Sequence, residues 1–165
     1  MMKRNLQTDV PASEFAAEAA KIVGAIEHGD LSESMSLIAH MADQEFGRNI
    51  SAMAGPHSGA WAPHKQGGTG QGKGEGHPLE IKSGAMFEAE TSPFGAGHIE
   101  NVGPRSAEIG VDPDVIPYAA AQNFGFVYQN PLRVLPQRES MDVSDPVADQ
   151  MAEVMADGML EQVGT

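Results

Sequence analysis

The stretch Ala107-Glu108-Ile109-Gly110-Val111, followed by Asp112-Pro113-Asp114 and then by Tyr118-Ala119-Ala120-Ala121-Gln122-Asn123-Phe124-Gly125, decides how this chain folds. Ala107, Ile109 and Val111 alternate with Glu108 and Gly110, the period of a half-buried strand. Asp112-Pro113-Asp114 is turn chemistry, because Asp bonds to nearby backbone and Pro presets φ. Tyr118 to Phe124 spells one or two helical turns, too short to persist without packing. Gly125 supplies a C-cap. A strand handing over to a short helix belongs to a small α+β core. Tyr118 and Phe124 are expected to pack back on the strand of Ile109 and Val111 and make this stretch the core hub. No catalytic group stands in it.

Working outward, residues 97–103 and 106–111 read as two strands around Pro104-Arg105. Leu79 to Thr91 reads as a short helix with Ile81, Ala85 and Ala89 on one side and Gly84 allowing close approach; Ser92-Pro93-Phe94-Gly95 breaks it. Nearer the N-terminus, residues 1–12 are polar and read as an extended arm. Ser13 caps a helix in which Phe15, Ala19, Ile22 and Ile26 recur at helical spacing, and Gly29 ends it. Asp30 caps the next helix, with Glu33 completing a capping-box pattern. Leu31, Met35, Ile38, Ala42, Phe46, Ile50 and Met53 carry its apolar face as far as Gly55-Pro56. This long stripe has two readings, plain core or a face turned in part toward a neighbouring subunit.

Downstream, Val127 to Leu135 is apolar enough for a strand or an extended arm, and Pro131 places it at an edge. Asp145 caps a closing helix with Pro146 at its first position. Val147, Met151, Val154, Met155 and Met159 form its apolar side, an adaptable surface because methionine repacks easily. On the other side Asp149, Glu153, Asp157 and Glu161 recur every four residues as one acidic row. It reads as a solvated face or a dock for a basic neighbour. The expected fold is α+β: an N-terminal helical pair and a C-terminal helix on a small, mostly antiparallel sheet. Residues 13–163 form one domain with a Gly-rich loop, 55–78, inserted.

That loop holds eight glycines, with Lys65 and Lys73 against the single acid Glu75. Its length makes it functional, or ordered only in an assembly. Gly67 to Lys73 nearly spells a phosphate-binding loop, but Gly74 stands where Ser or Thr is required and no strand precedes it. His57, His64 and His77 lie in the loop and His98 beyond it; their loose spacing reads as surface histidine, and no metal or cofactor site is assigned. Trp61 either pins the loop to the domain or docks on a partner.

Composition narrows the function classes. A chain of 165 residues can bury a core. The formal charge of −13 argues against ordinary phosphate-backbone binding and favours basic partners. There is no cysteine, so no disulfide or thiolate metal site forms. No apolar run approaches membrane-span length, and Met1-Met2-Lys3-Arg4 has no signal-like apolar stretch behind it. No catalytic set has a convincing local setting.

Several motifs in order resemble the phage virion morphogenesis family, the tail-completion proteins of the phage Mu G-like type. The resemblance rests on Ile109-Gly110, Tyr118-Ala119-Ala120 and Phe124-Gly125, preceded by Trp61-Ala62-Pro63 and Ser83-Gly84-Ala85-Met86 and followed by Pro136-Gln137-Arg138. Gln122-Asn123 stands where the family commonly has a His, and Glu139-Ser140-Met141 where it commonly has Pro-Phe-Leu. The resemblance implies a non-enzymatic structural protein of the neck or tail of a tailed phage, without cofactor, assembled in the host cytoplasm. It implies a homo-oligomeric, hexamer-like ring that docks on the tail terminator, tail tube or connector and lets DNA pass without specific binding, the acidic row then being a wall that repels DNA. Interface positions expected on this reading are Trp61, Lys65, Lys73, Pro136, Arg138 and the acidic row. The alternative is an acidic regulatory or DNA-mimic protein that binds a basic partner.

Overall fold

The computed structural model describes residues 11–61, 84–129 and 132–164. Two long helices come first, α1 (Ala12–His28) and α2 (Ser32–Ala52). A two-residue-strand hairpin follows, β1 (Ala54–Gly55) and β2 (Gly59–Ala60). Next come α3 (Ala85–Thr91), the hairpin β3 (His98–Gly103) and β4 (Ser106–Val111), and α4 (Ala119–Phe124). A third hairpin, β5 (Phe126–Gln129) and β6 (Leu132–Leu135), leads to α5 (Asp145–Gly164). The fold is α+β with antiparallel pairing, as expected. The strands described form three separate two-stranded pairs rather than one sheet.

Helix α2 is the axis of the fold. Met35, Ala39, Ala42, Phe46 and Ile50 are buried and recur at steps of three or four, so one face of the helix is core. Against it pack α5, α3 and the β3–β4 hairpin, while α1 runs against α5. A first cluster joins Met86 and Ala89 of α3 to Ile116 and Ala119, with Val111 and Met141 at its rim. A second joins Ile50 to Trp61 and Phe87. The helix ends at Met53, whose φ of 51° puts a non-glycine residue in the left-handed region. That end is two residues short of the expected Gly55-Pro56 stop, because Gly55 is already paired in β1. At its start Asp30 accepts from the Ser32 N–H and hydroxyl, a turn that leads into the helix.

The β3–β4 hairpin turns at Pro104-Arg105, in register from His98↔Val111 to Gly103↔Ser106. Its tip reaches the corner between α1 and α2. The Pro104 carbonyl accepts from the Leu31 N–H at 2.9 Å, and the Arg105 guanidinium donates to the Ile26 carbonyl near the end of α1. Helix carbonyls without intrahelical partners are satisfied in this way by a basic side chain.

Residues 136–144 have no regular structure, yet they cross the molecule beside the core. Buried side chains take the place of a strand partner. Asn49 donates to the carbonyls of Ser140 and Asp142, and Asn123 Oδ1 accepts from the Met141 N–H. Glu90 accepts from the Ser140 hydroxyl and Glu45 from the Ser144 hydroxyl. The Ser144 carbonyl accepts from Val147 and Ala148 N–H, so α5 is capped one residue before the expected Asp145.

Three expectations fail on packing. Tyr118 and Phe124 are not the core hub: they are 43% and 71% exposed, and Ile116, Ala119 and Asn123 turn inward instead. A helix this short buries only one side, and the buried positions 116, 119 and 123 set which side. Of the two readings of the N-terminal apolar stripe, plain core does not hold for α1, which exposes Phe15, Ile22, Val23 and Ile26. The first residues of the loop expected over 55–78 are not loop, since residues 54–61 form a tight hairpin closed by Trp61 N–H donating to the Met53 carbonyl. The expected arm, the start of the helix expected from Leu79, and Lys65, Lys73, His64 and His77 lie outside the described residues, apart from Pro11 and Ala12 at the end of the arm.

Candidate functional site

The β3 strand begins at His98, and alternation places Glu100 on the same face two residues on. That face meets α2, which carries Asp43 beside the core positions Ala42 and Phe46. His98 Nδ1 donates to the Ala89 carbonyl of α3 at 2.8 Å, which sets the ring and turns Nε2 toward Asp43 and Glu100. Nε2 lies 3.8 Å from Asp43 Oδ2 and 3.6 Å from Glu100 Oε2. The His98 and Asp43 side chains are only 3% and 7% exposed, while Glu100, at 32%, opens the cluster to solvent. Neither His98 Nε2 nor Asp43 Oδ1 has a hydrogen-bond partner. Burial pushes the Asp43 carboxyl above its ordinary range; Glu100 adds to the rise, and His98 and His40 oppose it.

This grouping was not read from the sequence, and His98 is not a surface histidine. The partners lie 55 residues apart along the chain, so only the packing of β3 on α2 brings them together. Two local signals were available. Asp43 interrupts the flank of an apolar helix face, and His98-x-Glu100 puts two ligand types on one side of a strand.

The residues expected at interfaces divide into two sets. Trp61 is buried against Ile50 and Phe87, so it pins its hairpin to the domain rather than docking outward. Arg138 is also interior: its guanidinium donates to Gln122 Oε1 at 2.6 Å and its N–H to the Gln122 carbonyl, with Pro136 half-buried beside it. Both are spent within the fold and are withdrawn as contact residues. By contrast Asp149, Glu153, Asp157 and Glu161 are all exposed along α5. Of the family-like positions, Ile109, Gly110 and Gly125 are half-buried, Ala119 is buried, and Tyr118, Ala120 and Phe124 face outward.

No family model, curated protein or solved structure matched this chain.

Proposed function

We propose that this chain is a structural virion protein of a tailed phage, a tail-completion or neck protein that acts by assembling into a ring and docking on its neighbours. The observation that carries the assembly reading is the exposed apolar row of α1. Phe15, Ile22, Val23 and Ile26 recur at helical spacing, and each leaves roughly half or more of its surface in water. A helix with an apolar stripe is expected to bury it, and covering each of these side chains at a subunit contact contributes on the order of 1 kcal/mol. Tyr118 and Phe124 add apolar surface elsewhere on the molecule. The phage assignment rests on the ordered motifs from Trp61-Ala62-Pro63 to Pro136-Gln137-Arg138. The acidic row of α5 suits a conduit that DNA passes without sticking, since like charge repels phosphate. The same row supports the second reading, an acidic protein that binds a basic partner.

Light scattering on the purified chain, followed by negative-stain imaging, tests the proposal. A closed ring that is lost in Ile22→Asp with an unchanged melting temperature supports it. A monomer at high concentration that competes with DNA for basic proteins supports the second reading and overturns the first.

A further inference from the structure

We propose that Asp43, His98 and Glu100 bind one divalent transition-metal ion, of the Zn2+ or Mn2+ class, that clamps α2 to β3. One ligand atom from each residue lies within 4.8 Å of the other two. The separations are too long for a directly hydrogen-bonded triad and leave room for an ion between the groups. His98 Nε2 stands 3.6 and 3.8 Å from the two carboxylate oxygens, beyond the roughly 2.7–3.2 Å of an N–H···O bond. Ligand atoms around an ion with bonds of about 2.0–2.1 Å sit about 3.0–3.4 Å apart. His98 Nε2 therefore stands a few tenths of an ångström outside coordination spacing from each carboxylate, and all three ligand atoms lie within 4.8 Å of one another.

The surroundings are those of a ligand set. His98 gives its Nδ1 proton to the Ala89 carbonyl, the outer-shell contact that leaves Nε2 free to ligate and fixes the ring. Nε2 is buried and unpartnered, and so is Asp43 Oδ1. Buried polar atoms are ordinarily satisfied, so an orphan on each of two neighbouring buried side chains calls for a further partner at the site. One imidazole and two carboxylates form a mixed nitrogen and oxygen set that suits borderline divalent ions. The partly exposed Glu100 provides the way in. The site is independent of the proposed assembly role, because it lies between elements of one chain.

The test uses the full chain, stripped with EDTA, dialysed into metal-free buffer and titrated with Zn2+ and separately with Mn2+. Calorimetry is expected to give one ion per chain, with a rise in melting temperature. Nitrogen-15 spectra of the loaded protein are expected to show His98 protonated at Nδ1 and shifted at Nε2. Glu100→Gln, on the solvent side, is expected to weaken binding at least about tenfold, with the metal-free melt retained. His57→Ala is expected to bind as the wild type does, since His57 contacts Val143 and Asp142 instead. Absence of saturable binding with either ion overturns the proposal. So does binding that leaves the His98 Nε2 signal unmoved, which would place the ion on surface histidines.

Discussion

Asn49 donates a side-chain hydrogen bond to the carbonyl of Ser140 at 3.0 Å, ninety-one residues along the chain. Its second amide proton goes to the Asp142 carbonyl at 2.9 Å. One buried amide on α2 thus does for residues 136–144 what a neighbouring strand does elsewhere. Asn49→Asp keeps the shape and replaces both donors by acceptors. It is expected to lower unfolding free energy by at least the roughly 1–3 kcal/mol of an unsatisfied buried carbonyl, and more than Asn49→Ala does. Chemical denaturation of both variants checks the order.

Glycine substitutions are expected to have opposite signs at two places. A Cβ on Gly95 would stand 2.1 Å from the Glu88 carbonyl oxygen, which is helix backbone and cannot swing aside. Gly95→Ala is expected to destabilise by about 1–3 kcal/mol, the usual range for overpacking. Gly24 lies within α1 with nothing inside 4 Å of its Cβ position. Gly24→Ala is expected to stabilise by about 0.5–1 kcal/mol through helix propensity. Thermal melts of the two variants should move in opposite directions.

What could be read from the sequence was local. The β3–β4 hairpin followed from the alternation of Ala107, Ile109 and Val111 and from the break at Pro104-Arg105, and Gly125 does take a φ of 73° after α4. The α5 helix was legible from Asp145-Pro146 and its Met-rich face. What was not legible depends on long-range meetings. Periodicity says that Phe15, Ile22 and Ile26 share a face, but not whether anything covers it. It also does not tell that Asn49, Glu90 and Asn123 turn inward, because each answers a backbone or hydroxyl group far along the chain. His98 and Asp43 belong to the same class of information.

Phe124 is expected to be nearly silent in stability, although it ends the stretch expected to be the core hub. Its ring is 71% exposed, so Phe124→Ala forfeits little buried area. Ile116→Ala, in the first core cluster, is expected to cost about 2–5 kcal/mol. Equal losses for the two in urea unfolding would mean that Phe124 is covered in the isolated chain.

Acid stability is expected to carry a component from Glu139. Partial burial pushes this carboxyl up. The His57 and Ser58 N–H groups, the Ser58 hydroxyl and the nearby His57 ring outweigh that and hold it below its ordinary value. A group whose pKa is lower in the folded chain contributes stability above its unfolded pKa and loses it as pH falls through the folded one. The difference in melting temperature between wild type and Glu139→Gln should therefore be constant near neutrality. It should shrink as pH falls below the ordinary glutamate value of 4.5. A difference that does not change with pH would show that the carboxylate charge plays no part in holding the β1–β2 hairpin.

The acidic row of α5 gives the last prediction. Asp149, Glu153, Asp157 and Glu161 are exposed, and none makes an ion pair with a described residue. Like charges four apart on a helix cost roughly 0.2–0.5 kcal/mol per pair, and anions near a helix C-terminus oppose its dipole. Replacing all four by Gln is therefore expected to stabilise the isolated chain by on the order of 1 kcal/mol, counted over three neighbouring pairs. On the proposed neck-protein reading three outcomes are distinguished: if the row is only a solvated face, assembly and infectivity remain normal and only the melt moves. If it lines a DNA conduit, particles assemble but DNA stalls or adheres during ejection, because the repulsion of phosphate is gone. If it docks on a basic neighbour, assembly itself fails, and assembly of the wild type weakens steeply with salt. The gain in isolated stability is common to all three outcomes. It separates a charge row retained for function from one that stabilises the helix, since a stabilising row would make the variant melt earlier.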